Sequence, residues 1–125
     1  MGRRKNKNRM PPEVAAVVVE RAGGSCEIMH PDAGCNFQAE QVHHRQMRSQ
    51  GGQHTVENMV HICHLCHGWV HRNPAYSYAQ GWLVKGSSNP SIQPFTRRGR
   101  TVFLHSDGSF KSAYVQPQEF FEGEK

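Results

Sequence analysis

The sequence predicts a small α+β domain whose core runs strand, loop, strand, helix, followed by a C-terminal β-hairpin. Residues 37–44 partly alternate in polarity and residues 58–62 are short and rich in apolar side chains, so we interpret both as strands. A helix that begins near residue 66 follows the second strand. The Ser-Asp-Gly-Ser segment at 106–109 predicts the hairpin, because Asp-Gly supplies the positive φ values of a tight turn.

Local signals predict the other elements. The Pro-Pro-Glu sequence at 11–13 is typical of a helix start, so we expect a helix over 12–22, ended by the two glycines that follow. Residues 45–57 are expected to form the loop between the two strands, and Pro74 should limit the second helix. A further strand is expected at 81–84.

The predicted organisation has three parts. They are a disordered basic arm at 1–10, a main domain at 11–85 with its core at 35–72, and a C-terminal part at 86–125 that contains a loop, the hairpin 100–114 and a tail. No internal repeat is present.

The composition bounds the kind of protein. At 125 residues the chain is long enough for one domain, and its 36% hydrophobic content predicts a domain that is poor in core residues. Such a domain usually needs a cross-link or a bound metal. The apolar run at 14–19 is too short for a secretory signal, and no segment has the length of a membrane-spanning helix. We therefore expect a cytoplasmic protein.

Positive charge is in excess, with fifteen lysines and arginines against ten acidic residues. Several of these cations lie in the first nine residues, namely Arg3, Arg4, Lys5, Lys7 and Arg9. The excess favours a polyanionic partner such as nucleic acid, whose binding would weaken as salt is added. Two interpretations of the basic arm stay open: a solvated leader, or an arm that binds phosphates.

Four cysteines, Cys26, Cys35, Cys63 and Cys66, are interpreted as the ligands of a structural Zn²⁺. The Cys-x-x-Cys spacing of the last two is typical of a zinc knuckle, whereas the longer spacing of the first two is less common. The alternatives are two disulfides in a secreted protein, four free thiols, or a redox Cys-x-x-Cys. The redox alternative needs only one pair of cysteines and a βαβ context, so it explains the four thiols less well.

Histidines are concentrated between residues 43 and 71. On the predicted helix, His67 and His71 are four residues apart and project from one face, which makes them a ready pair of metal ligands. On the predicted strand, His43 and His44 point to opposite faces, so one can bind a metal while the other faces water. This division suits phosphodiester hydrolysis, in which a cation stabilises the phosphate and a separate neutral imidazole takes a proton from water.

The spacing of His44, Asn58 and His67, with thirteen and then eight residues between them, resembles that of the three namesake residues of the HNH endonuclease family. The four cysteines resemble the zinc-binding branch of that family. The resemblance covers about residues 13–85, and Pro74 with the segment 81–84 is similar to sequence that follows the motif in phage-encoded members.

The resemblance implies a ββα-metal (His-Me finger) fold that cuts or nicks DNA with one divalent cation. It implies that His43 is the first metal ligand, that His44 is the general base and that Asn58 braces the loop and orients the base. His67 would be the final metal ligand, and His71 a further ligand or a phosphate contact. The implied products carry 5′ phosphate ends.

The implied cofactors are a structural Zn²⁺ and a catalytic divalent ion, for which Mg²⁺, Mn²⁺, Ni²⁺ and Zn²⁺ stay open, since an all-imidazole site tolerates transition metals better than an oxygen-only site would. Arg45 and Arg72 lie next to the site in sequence and are candidate phosphate contacts, with surface solvation as the alternative. Arg97 and Arg98 either track a DNA backbone or belong to a solvated loop. We assign no catalytic role to the remaining histidines between residues 43 and 71, which are His54, His61 and His64.

Other functions remain open at this point. The alternative from another class is a non-catalytic zinc-ribbon protein that binds DNA or acts as an adaptor. Within the enzyme class, the alternative is RNA hydrolysis, because a phosphodiester site need not distinguish the two sugars. The similarity to phage-encoded members suggests a role in DNA packaging or homing, with terminase or portal proteins as partners and the host cytoplasm as the location.

Overall fold

The computed structural model describes residues 9–113. The predictions for residues 1–8 of the basic arm and for residues 114–125, including the end of the hairpin and the tail, lie outside the described residues. The elements in chain order are α1 (Pro12–Ala22), β1 (Gln41–His44), β2 (Met59–Ile62), α2 (His64–Arg72), α3 (Pro74–Gln80), β3 (Phe95–Arg97), β4 (Arg100–Leu104) and β5 (Phe110–Ser112). Within residues 9–113, no helix combines the length and apolar character needed to cross a membrane.

Helix α1 lies where the sequence predicts it. Proline occupies its first turn, where the missing N–H costs no helical hydrogen bond, and Glu13 lies near the positive end of the helix dipole. Gly23 ends the helix with φ 63° and donates its N–H to the carbonyl of Val19. The helix buries Val18 against Val56 and Met59, which anchors it to the start of β2.

Strands β1 and β2 form an antiparallel pair in which His43 lies opposite Val60 and His44 opposite Met59. β1 is shorter than expected because Phe37 has a φ of 70°, which is incompatible with a strand, and Gln38 pairs with Ser25 instead. The alternation of β1 is preserved, so its two adjacent histidines project to opposite faces.

Helix α2 starts directly after β2, with Cys63 as its N-cap residue. Pro74 limits this helix as expected, but it also opens α3, a helix that the sequence analysis did not predict. The expected strand at 81–84 is not formed. The N–H groups of Trp82 and Leu83 instead donate to the carbonyl of Ser77 in the middle of α3, so this segment is buried without a strand partner.

The C-terminal part forms a three-stranded antiparallel sheet in the order β3-β4-β5. The expected Asp-Gly hairpin joins β4 to β5, whereas β3 was expected to be loop. β3 and β4 are joined by Arg98 and Gly99, both with positive φ (50° and 84°), the geometry of a tight hairpin turn. Arginine rarely adopts this conformation, so the second turn carries no familiar sequence signal.

One hydrophobic core joins the N-terminal and C-terminal parts. Phe95, Val102 and Leu104 of the C-terminal sheet pack in the same cluster as Ile62 of β2 and Val70 of α2. The C-terminal sheet is therefore part of the packing that supports the ββα unit.

A buried ion-pair network also links the N-terminal and C-terminal parts. The fully buried carboxylate of Glu27 accepts hydrogen bonds from Arg21 Nε at 2.8 Å and from Arg97 Nε at 2.9 Å. Burial by itself opposes ionisation of Glu27, but the two guanidinium groups and the N–H of His61 hold its pKa below the usual value. The charge is thus compensated where it lies.

Removing this charge should weaken the fold. We expect Glu27→Gln to lower the free energy of unfolding by about 3–5 kcal/mol, because two buried guanidinium groups lose their counter-charge. Urea denaturation followed by circular dichroism measures the change. The exposed Glu20→Gln serves as the control and should stay within about 0.5 kcal/mol of wild type. Equal midpoints for the two variants would contradict this account of the network.

Candidate functional site

The four cysteines come together as a compact cluster. Their sulfur atoms all lie within 4.8 Å of one another, and the Sγ atoms of Cys35 and Cys63 are 3.7 Å apart. A tetrahedral zinc site with bonds of about 2.3 Å requires sulfur atoms about 3.8 Å apart. The donor set and its spacing therefore fit Zn²⁺, and all four residues are free thiols.

Backbone N–H groups prepare these sulfurs for a cation. Met29 N–H points to the sulfur of Cys26 at 3.4 Å, Phe37 N–H to that of Cys35 at 3.2 Å, and Cys66 N–H to that of Cys63 at 3.3 Å. Such bonds favour the thiolate form, which is the metal-binding form. The cluster joins the end of α1, the following loop and the start of α2.

The close packing of the thiols also perturbs their ionisation. Cys66 donates a hydrogen bond to Cys26, which lowers the pKa of the Cys26 thiol to about 5. The same hydrogen bond raises the pKa of the Cys66 thiol. Burial raises the pKa of Cys35 to about 11. Without a cation, therefore, the thiolate of Cys26 is stabilised while Cys35 and Cys66 stay protonated. A bound Zn²⁺ would stabilise all four thiolates together.

A second cluster consists of three imidazoles. One nitrogen each from His43, His67 and His71 lies within 4.8 Å of the others, with ring centroids 5.1 to 5.4 Å apart. His67 and His71 share one face of α2, as their spacing predicts, and His43 reaches them from β1. Three imidazoles in this arrangement can hold one divalent cation and leave coordination positions open.

Hydrogen bonds orient two of these rings. Nε2 of the buried His43 donates to the carbonyl of Trp82 at 2.7 Å, and Nδ1 of His67 to Oε1 of Gln41 at 2.7 Å. These bonds leave the lone pairs on His43 Nδ1 and His67 Nε2 for a metal. Burial lowers the pKa of His43 to about 3, so this ring is neutral at pH 7. The donor set thus suits a transition-metal ion.

His44 lies on the opposite face of β1, as expected. It lines an open cleft of about 610 Å³ together with His54, Arg48, Ser49 and Met10. Its Nε2 lies 3.0 Å from Nδ1 of His54. Burial, followed by the nearby His54 and Arg48, lowers the pKa of His44 to about 4, so the imidazole is neutral at pH 7. A neutral imidazole beside a water-accessible cleft can accept a proton.

Asn58 is fully buried between the two ends of the 45–57 loop. Its Oδ1 accepts from the N–H of Gln46 at 2.7 Å, and its Nδ2 donates to the carbonyls of Gln46 and Gln53 at 3.0 and 2.9 Å. All three bonds are to backbone atoms. One amide therefore holds the loop that carries Arg48 and His54 against the end of β1.

Arg45 does not contact solvent, so the expected phosphate contact is wrong for this residue. Its side chain is fully buried, and burial lowers its pKa to about 9, which still leaves it charged at pH 7. The guanidinium donates to backbone carbonyls of Glu57, Gly81, Pro90, Gln93 and Pro94. Arg45 thus binds the irregular segment after α3 to the strand pair.

Arg97 and Arg98, for which contact with a DNA backbone and a solvated loop both stayed open, each have structural partners. The burial of Arg97 excludes both interpretations for that residue. Arg97 is almost fully buried and binds Glu27 and the carbonyl of Arg21. Arg98 donates to the carbonyls of Ala22, Ser25 and Cys26 near the end of α1. Arg72 alone of the four candidates is exposed, in the last turn of α2 beside His71.

Two residues of the site were missed by the sequence analysis. Arg48 and His54 both line the cleft at His44, although neither was given a role. Both belong to an irregular loop, where no periodicity indicates which side chains face a neighbouring strand. The spacing of histidines therefore predicted that His67 and His71 lie side by side, but not the surroundings of His44.

Comparison with known proteins gives one family match. Residues 26–73 match a family model described as HNH endonuclease. The matched segment begins at the first cysteine of the thiol cluster and ends just after α2, so it contains both clusters and Asn58. Comparison with the curated proteins and with the solved structures gave no match.

The thiol cluster predicts one tightly held zinc per chain. We expect Cys66→Ser to lose this zinc and to unfold at a much lower temperature, because a structural zinc contributes on the order of 10 kcal/mol to folding in small domains. Zinc content is measured by mass spectrometry and unfolding by circular dichroism. His64→Ala, an exposed change in the same knuckle, is the control and should keep its zinc. The imidazole cluster can also hold zinc, so the comparison is repeated with His67→Ala in both proteins; a full equivalent of zinc in the Cys66→Ser protein would then exclude the thiol cluster as the site.

The buried guanidinium of Arg45 predicts a large stability effect. Arg45→Lys should lower the free energy of unfolding by about 3–5 kcal/mol, because an ammonium group cannot satisfy several diverging carbonyls at once. Urea denaturation measures the loss. The exposed Arg72→Lys should change the free energy of unfolding by less than about 0.5 kcal/mol. If the two variants were equally stable, the structural role of Arg45 would be wrong.

Proposed function

Because residues 26–73 match the HNH endonuclease family model, we propose that this chain is a metal-dependent endonuclease that hydrolyses phosphodiester bonds in DNA. The observation that carries the proposal is the separation of two adjacent imidazoles. His43 meets His67 and His71 on one side of β1, while His44 faces the cleft on the other side. Hydrolysis needs a metal ligand and a proton acceptor close together but on two different imidazole rings.

The imidazole cluster is the proposed catalytic metal site. A divalent cation bound by His43, His67 and His71 would stabilise negative charge on the scissile phosphate and on the departing 3′ oxygen. Nitrogen ligands favour Zn²⁺, Ni²⁺, Co²⁺ and Mn²⁺ over Mg²⁺, which prefers oxygen. We therefore expect activity with Mn²⁺ or Ni²⁺ to exceed activity with Mg²⁺.

His44 is the proposed general base. It takes one proton from a water molecule as the water oxygen attacks phosphorus. The bond from phosphorus to the 3′ oxygen breaks, and that oxygen leaves with the electron pair, so the product carries a 5′ phosphate. Asn58 supports this step indirectly, because it fixes the loop that forms the cleft around His44.

The proposed contacts to the substrate backbone are made by residues other than the buried Arg45 and Arg97. Arg72 is exposed next to His71 and is the proposed phosphate contact within the domain. Arg48 lies in the His44 cleft, where a guanidinium can approach a phosphate oxygen from the side of the base. The net charge of +5 supports a polyanionic substrate.

The finer proposal concerns the biological setting. Because the chain resembles phage-encoded members of the HNH endonuclease family, we infer that it is a phage nuclease. It would act in DNA packaging or homing, with terminase or portal proteins as partners. The other candidate is a non-catalytic zinc-ribbon adaptor. The adaptor accounts for the thiol cluster but gives no role to the three imidazoles, which is why we favour the nuclease.

Plasmid cleavage tests the proposed activity. Supercoiled DNA incubated with the protein and Mn²⁺ or Ni²⁺ should become nicked or linear, and His44→Ala should reduce the rate by about 10²–10⁴-fold, the usual contribution of a general base. His64→Ala should cut like wild type. Equal cutting by wild type and His44→Ala would show that the base is assigned wrongly.

Metal content separates the two candidate functions. The nuclease should bind one structural zinc and a second, exchangeable divalent ion that is lost in His67→Ala. The adaptor should bind zinc alone at one equivalent. Absence of both cleavage and a second metal site would support the adaptor.

A further inference from the structure

We propose that His54 is a positioning residue that holds His44 in the one tautomer able to accept a proton from water. This inference rests on the proposed role of His44 as general base. It assigns a function to a loop histidine that neither binds the cation nor touches the substrate.

The contact between the two rings carries the inference. Nε2 of His44 and Nδ1 of His54 are 3.0 Å apart, and the ring centroids are 5.0 Å apart. A hydrogen bond between two neutral imidazoles contains a single proton, so one ring donates and the other accepts. The direction of that bond decides which nitrogen of His44 carries its proton.

Only one direction is compatible with a base. If His54 donates, Nε2 of His44 accepts, its Nδ1 carries the proton, and no lone pair remains for water. If His44 donates from Nε2, its Nδ1 keeps a lone pair. Nε2 is already engaged with His54, so Nδ1 is the nitrogen that must meet the attacking water. We therefore assign His44 as the donor.

The same bond also supports the product of the proton transfer. When His44 takes a proton at Nδ1, the ring becomes positively charged, and its Nε2–H forms a stronger hydrogen bond to the neutral acceptor. The proton taken from water stays on His44, and His54 only accepts the bond. A third group that orients a catalytic base in this way is common in hydrolytic sites.

The loop holds His54 firmly in place. The carbonyl of the preceding residue, Gln53, accepts from Asn58 Nδ2 at 2.9 Å, and two residues further on Val56 is buried against α1. On the other side, Gly52 lies so close to the Gln46 carbonyl that a Cβ would sit only 1.7 Å from the oxygen. Bracing by Asn58 is therefore transmitted through this short segment to His54 and then to His44.

Two substitutions separate the hydrogen bond from the size of the side chain. His54→Leu removes the acceptor, and His54→Asn returns an oxygen acceptor near the position of Nδ1. Cleavage of a labelled DNA duplex with Mn²⁺ gives kcat and KM for the full-length, zinc-loaded protein. We expect His54→Leu to lower kcat by about 10- to 100-fold with KM changed less than about twofold, and His54→Asn to recover most of the loss. Gln53→Ala, an exposed change next to His54 that keeps the backbone carbonyl, should behave as wild type.

A second measurement does not depend on activity. Nitrogen-15 NMR of the imidazoles, recorded near neutral pH without added catalytic metal, reports which nitrogen of His44 is protonated. We expect protonation at Nε2 in wild type and a mixture of tautomers in His54→Leu. Protonation of His44 at Nδ1 in wild type would overturn the inference, as would a His54→Leu enzyme with the wild-type kcat.

The two readouts also distinguish failure of the inference from failure of the proposed function. If wild type cuts DNA, His44→Ala does not, and His54→Leu cuts at the wild-type rate, the nuclease stands and the positioning role is wrong. If no variant cuts DNA but the His44 tautomer depends on His54, the positioning stands and the nuclease assignment is wrong.

Discussion

The alternation of side chains along β1 is the constraint on which the site depends. Successive residues of a strand point to opposite faces, so His43 and His44 reach different environments although they are neighbours in the chain. The pairing of His43 with Val60 and of His44 with Met59 fixes which ring faces α2. A slip of one residue would turn the ring of His43 away from His67 and His71.

The short strand pair cannot hold this register alone. Isolated pairs of strands are marginally stable, and each strand here has four residues. The thiol cluster brings the segment after α1 to the start of α2, while Arg45, directly after β1, binds carbonyls of a segment with no strand partner. A thiol cluster able to hold zinc and a buried guanidinium are thus the candidate cross-links where a larger core is lacking.

Features set by local patterns could be predicted from the sequence. Helix α1, the two central strands, the Asp-Gly hairpin and the shared face of His67 and His71 all follow from capping, alternation or spacing. Features that depend on contacts between residues far apart in the sequence could not be predicted. Whether Arg97 faces a substrate or Glu27 depends on where the last strands pack, and the neighbour of His44 depends on the path of an irregular loop. The segment 81–84 illustrates the same limit, because its apolar residues are buried but its backbone bonds are made with α3 and Arg45.

The ion pair between Glu27 and Arg97 has a consequence for synthesis of the chain. The carboxylate and its second guanidinium are seventy positions apart, and Phe95, Val102 and Leu104 complete the core around the early cysteines. While the ribosome still encloses these late residues, Glu27 of the nascent chain has Arg21 but not Arg97 as a partner, and the core is unfilled. Native packing therefore requires that residues 95–104 have left the ribosome, and a product cut short before them would be a target for proteolysis.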